Sequence, residues 1–217
     1  MKTFSPVSQE DARTAILANG APPVHPLAVV ALRSARRLVC CDGAYPKALA
    51  LGRDPDLVVG DGDSLTAEQK TALGGRFVHI AEQDTNDLDK AFRTASARFR
   101  VEDGVVILGA GGLREDHFLG NVFRLPDFAR TVPNVEMVTD AGVFSVVTDA
   151  RVYACRAGEA VSVFAPEPET HVRSEGLEWP LDGVSLAALW QGTLNRTTGK
   201  SFTLWSDRPL IVYRPHA

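Results

Sequence analysis

Short apolar runs punctuate the first 140 positions, and most are separated by segments in which apolar residues recur at helical spacing. Residues 14–18, 37–41, 57–59, 77–80 and 105–108 read as strands, with 57–59 a buried one. Helices are predicted over residues 25–35, 45–51, 67–73 and 87–100. The last is the clearest, with Leu88, Ala91, Phe92, Ala95 and Phe99 sharing one face. A further helix over about 116–124 is expected to end near Pro126. Strands alternating with helices predict a parallel or mostly parallel α/β sheet.

The pattern changes after Pro133. Apolar or alternating runs at 135–138, 143–147, 152–155, 161–164, 184–189, 202–205 and 210–213 are divided by Gly, Pro and Asp. The first completes the α/β sheet, and the others predict an antiparallel sandwich. A boundary between Pro133 and Asp149 divides the chain into residues 1–140 and 141–217.

A length of 217 residues suffices for a well-buried core in one large domain or two small ones. Net charge of −4 without a basic stripe argues against nucleic acid as a partner; Arg33, Arg36 and Arg37 read as a solvated helix end. Residues 1–10 lack a signal-peptide core, and no segment is apolar for long enough to span a bilayer, so a membrane partner is not expected. Three cysteines without framework spacing, Cys40, Cys41 and Cys155, suggest reduced thiols and a cytoplasmic location.

Acidic residues follow four of the predicted strands: Asp42; Asp61 and Asp63; Asp84 and Asp87; and Asp116. Parallel strands deliver their carboxyl ends to one edge, where crowded carboxylates repel unless a cation lies among them. A site for Mg²⁺ and phosphate is the economical reading. In Asp61-Gly62-Asp63-Ser64 the two acids face the same way along an extended segment and can share an ion, although a solvated turn uses the same residue types. Gln83-Asp84-Thr85-Asn86-Asp87 reads partly as a helix cap, but Asp87 and Lys90, one turn apart, can hold a metal and a phosphate side by side. Gly109-Ala110-Gly111-Gly112 exposes backbone N–H groups to an anion, and Arg114 can grip phosphate oxygens. This is neither a Walker loop nor a dinucleotide fingerprint.

Together these motifs resemble those of the thiamine pyrophosphokinase family. The resemblance runs through Asp42-Gly43-Ala44, Gly60 to Ser64, Gln83 to Ala91, and Gly109 to His117 followed by Asn121. Gly176-Leu177-Glu178-Trp179-Pro180-Leu181 resembles the family's thiamine-site segment, while Leu194-Asn195 stands where Ser-Asn is common and Asn86 where many members have Thr.

The resemblance implies an amino-terminal, mostly parallel, three-layer α/β domain that binds ATP, and a carboxyl-terminal β-sandwich that binds thiamine. It also implies a homodimer with sites formed between subunits, and transfer of pyrophosphate from ATP to the thiamine hydroxyl. Asp61, Asp63 and Asp87 would then bind Mg²⁺, and Lys90 and Arg114 would hold the travelling pyrophosphate. Asp42 and Asp116 would bind a second ion or orient a substrate, and Trp179 would stack on thiamine. Gly43, Ser64, Gln83, Asn86, Gly109, Gly112, His117, Asn121 and Asn195 would complete the substrate contacts. Two alternatives stay open: an aspartyl-nucleophile phosphohydrolase built on Asp61-Gly62-Asp63-Ser64, and a catalytically silent nucleotide- or thiamine-binding module.

Overall fold

The structure, a computed structural model, describes residues 3–4 and 13–216. It divides into two compact units. One runs to Val122 and takes up Val132–Asp140; the other comprises Phe123–Thr131, Ala141–Ala217 and the first strand.

That first strand, β1 (Thr3–Phe4), pairs in parallel with a sandwich strand. The α/β unit then alternates: β2 (Thr14–Leu17), α1 (Pro26–Ser34), β3 (Arg37–Cys41), α2 (Tyr45–Ala50), β4 (Leu57–Gly60), α3 (Ala67–Leu73), β5 (Phe77–His79), α4 (Asp87–Arg98), β6 (Val105–Leu108), α5 (Glu115–Ala129) and β7 (Val135–Val138). All of its strand pairs are parallel, in the order β7-β6-β2-β3-β4-β5. The residues of β2, β4, β6 and β7 are buried throughout, which is why these strands read as continuous apolar runs.

Successive strands from β2 onward march toward β5, and then β6 and β7 return to the other side of β2. The sheet therefore reverses direction between β2 and β6. At such a switch point the loops leaving two neighbouring strands diverge and open a crevice at the carboxyl edge.

The helix starts follow from local chemistry. Thr66 and Gln69 form a reciprocal capping box at α3, and the Asn86 side chain accepts from Asp89 N at α4 (2.9 Å). Helix α5 does not stop at Pro126 but continues to Ala129. Proline removes one helical hydrogen bond, and burial of Leu125, Pro126 and Phe128 offsets that loss. The division between the units falls within this helix.

The second unit is a sandwich of β8 (Gly142–Val147), β9 (Ala150–Ala154), β10 (Ala160–Phe164), β11 (Val172–Glu175), β12 (Asn195–Arg196), β13 (Ser201–Ser206) and β14 (Leu210–Pro215). One sheet runs β1-β9-β13-β11 and the other β12-β10-β14-β8, antiparallel except for β1 with β9. Alternate residues of both sheets meet in one core: Val161 and Val163, Phe202 and Leu204, Leu210 and Val212, with Tyr153 stacked on Phe202 at 4.7 Å. The expected strand at 184–189 is absent. Only Leu186 in that stretch is buried in the core, and Val184, Ser185, Ala187 and Leu189 are exposed, so the segment lacks the alternation that would hold it in a sheet. Strands β11 and β12, not anticipated, take places in the two sheets. Among the described residues no helix is long and apolar enough to cross a membrane.

Candidate active site

Asp42 stands in the tight turn after β3 and is buried, at 2% exposure. Its carboxylate accepts from Gly43 N (2.7 Å) and from Gly62 N (2.9 Å), so it joins the carboxyl ends of β3 and β4. Burial raises its pKa, the two backbone donors oppose that shift, and repulsion from Asp87 and Asp61 adds to it. Asp42, expected to bind a second ion or orient a substrate, is not among the residues that line the cavity; it braces the loop that carries Asp61 and Asp63.

That loop turns at Gly62, whose φ of +80° is readily adopted only by glycine. Asp61 accepts from Asp63 N (3.1 Å) and from Gln83 Nε2 (3.0 Å), and these bonds lower its pKa. Ser64 donates to Asp63 Oδ1 (3.0 Å). One oxygen each from Asp42, Asp61 and Asp63 lies within 4.8 Å of the others, a grouping of hard donors fit for a small divalent cation. Asp87, expected to join Asp61 and Asp63 around the metal, stands outside this group and forms an ion pair with Lys90 (3.4 Å). The side chain of Lys90 is only 2% exposed.

A cavity of about 490 Å³ opens at the switch point. On its acidic wall stand Asp61, Asp63 and Asp87; Lys90 and Arg114 supply cations. Gln83, Asn86, His117 and Asn121 also line it. Asn86 donates to Asn121 Oδ1 (3.3 Å), and Asn121 in turn donates to Ala110 O (3.1 Å), tying the start of α4 and the turn after β6 to helix α5. Arg114 grips Asp116 through Nε (3.1 Å) and a terminal nitrogen (2.5 Å). The two bonds orient the arginine, and they hold the Asp116 carboxyl down at about 2.

Not every expected residue reaches the cavity. Gly43, Ser64, Gly109, Gly112 and Asp116 are not among the residues that line it, nor is the exposed Asp84. Trp179 and Asn195 belong to the sandwich unit. There Asn195 Oδ1 accepts from Trp179 N (3.2 Å) and its Nδ2 donates to Trp179 O (2.7 Å), while the indole stays 53% exposed. Trp179 is therefore not a core residue.

Sequence reading missed Asn19 and Gly20, which line the cavity just beyond β2. Gly20 N donates to Gly109 O and Ala21 N to Gly111 O, both at 2.7 Å, joining the two loops of the crevice. The signal was present: Asn-Gly directly after a strand, the same arrangement that drew attention to Asp42-Gly43.

The family model for the thiamin pyrophosphokinase catalytic domain matches residues 30–137, and that for the thiamin pyrophosphokinase substrate-binding domain matches residues 142–213. The chain belongs to the thiamin pyrophosphokinase family. It is accordingly a thiamine diphosphokinase, which converts ATP and thiamine to thiamine diphosphate and AMP. The phosphohydrolase and silent-module alternatives fall with that assignment.

Solved structures similar to it include thiamine pyrophosphokinase from Bacillus subtilis, with 21% identity, 94% of this chain and 98% of that one covered, and a TM-score of 0.77. Thiamin pyrophosphokinase from Geobacillus thermodenitrificans is 24% identical, with 94% and 97% covered and a TM-score of 0.74. The Candida albicans enzyme is 14% identical, with 98% and 92% covered and a TM-score of 0.70. At these identities the likeness is one of fold. No curated protein sequence gives a significant match.

Proposed function

We propose that the cavity at the β2/β6 switch point holds the ATP polyphosphate, with Mg²⁺ on its acidic wall. The observation that carries this reading is the pairing of Asp61, Asp63 and Asp87 with Lys90 and Arg114 around one crevice. Asp61 and Asp63 would hold the ion together with Asp42, the third member of their oxygen group, and Asp87 on the cavity wall would reach it through a water. When bound, the ion neutralises phosphate oxygens during transfer.

Lys90 and Arg114 would hold the pyrophosphoryl group, Arg114 being steadied by Asp116. The thiamine hydroxyl oxygen attacks the β-phosphorus of ATP and gives up its proton to solvent, the bond from that phosphorus to the bridging α-phosphate oxygen breaks, and AMP leaves with that oxygen. Gln83, Asn86, His117 and Asn121 orient the nucleotide. The exposed indole of Trp179, held through its backbone by Asn195, offers a face to the cationic thiazolium.

A homodimer with sites formed between subunits, and a cytoplasmic location, complete the proposal; three free thiols agree with a reducing compartment. The test is Asp63→Asn, which removes a charged ligand at nearly constant volume. Turnover should fall by about two orders of magnitude or more through the loss of charge at the metal site, with unchanged thermal unfolding. Full activity of the folded variant at limiting Mg²⁺ would remove the acidic wall from the mechanism.

A further inference from the structure

Between β5 and α4 the chain carries Gln83 and Asn86 to the cavity with no strand or helix to hold it, and Asp87 follows as the first residue of α4. Glu82 closes this loop. Its Oε2 accepts from Asp84 N (2.8 Å) and Thr85 N (3.0 Å), and its Oε1 accepts from Thr85 Oγ1 (2.5 Å) and from a guanidinium nitrogen of Arg93 (2.7 Å). The same Arg93 nitrogen donates to Thr85 Oγ1 (2.9 Å), so the three side chains form a closed triangle.

Neither Glu82 nor Arg93 lines the cavity, but the residues they hold do. On one side of the clasp, Gln83 Nε2 reaches Asp61 Oδ2 at 3.0 Å. On the other, Asn86 caps α4 and Asp87 opens it. Arg93 lies on α4 itself, so the clasp fixes the loop to the helix that presents Asp87 and Lys90.

We infer that Glu82, locked by Arg93 and Thr85, is a positioning residue that sets Gln83 against Asp61 and Asp87 against Lys90, and so sets the affinity of the acidic site for its cation. The inference rests on the reading of that site as the metal and polyphosphate site. A carboxylate receiving four donors has no neutral substitute of equal shape: in Glu82→Gln the amide NH₂ must face a donor, and the loop loses its registry.

The experiment compares Glu82→Gln, Arg93→Gln and their double variant with the native enzyme and with Asp63→Asn. The Kd for Mg²⁺ read by calorimetric titration, and with it the Mg²⁺ concentration at half-maximal activity, should rise about tenfold or more in each clasp variant, the usual effect of losing a group that orients metal ligands. The KM for thiamine should stay within about twofold, because uniform damage would move both. The double variant should be no worse than the poorer single one, because one unit is lost. A lowered melting temperature with native Mg²⁺ dependence in the folded variants would overturn the inference. Arg93→Gln keeps the question open to test if Glu82→Gln does not fold. An inactive Asp63→Asn beside clasp variants with native Mg²⁺ dependence would remove only this inference, whereas a fully active Asp63→Asn would remove the site reading as well.

Discussion

Trp179 shows how a residue's type and its position answer different questions. An aromatic residue in a segment before a strand serves equally as core or as ligand contact, and only burial separates the two. Here the backbone is clamped by Asn195 while the ring is largely exposed. Trp179→Ala should therefore change thermal stability little, as surface substitutions do. It should weaken thiamine binding by roughly 1–3 kcal/mol through lost aromatic area and cation–π attraction. Calorimetric titration decides it: native thiamine affinity in the variant would take Trp179 out of the site. Asp42 carries the opposite lesson. Its place after a strand was legible, but its bond to Gly62 N crosses between two strands, and no local pattern in the sequence encodes that contact. The same holds for Asp87, whose ion pair with Lys90 was spaced correctly in the sequence while its separation from the Asp42, Asp61 and Asp63 group was set by the fold.

The elements were legible where burial is uniform. Strands β2, β4, β6 and β7 are covered completely, so their apolar runs announce them, and α4 shows its buried face at helical spacing. Reading failed where a single anchor replaced a pattern, as at Leu186, or where buried neighbours carried a helix past a proline, as at Pro126. Short strands such as β12 were invisible because their partners, not their sequence, define them. The loops of the crevice depend on close backbone approach at one point: a Cβ at Gly20 would meet Gly109 O and Gly111 O at 2.4 Å. Gly20→Ala should therefore force the two loops apart, cost about 1–3 kcal/mol of stability, and lower ATP affinity more than thiamine affinity. Native nucleotide binding together with a native melting temperature would show that the loops are not joined there.

For the whole molecule, two units with separate cores carry the two halves of the proposed chemistry, the nucleotide on the parallel sheet and thiamine on the sandwich. The proposed homodimer predicts sedimentation at twice the chain mass of 23.4 kDa at assay concentrations, and a fully active monomer would exclude sites shared between subunits. The most direct test of the central claim is AMP formation from ATP by the native protein, followed with and without thiamine and with and without Mg²⁺. The account predicts AMP only when both are present, in equal amount to thiamine diphosphate, with no inorganic phosphate released. AMP formed at the same rate without thiamine, or ADP in its place, would contradict it.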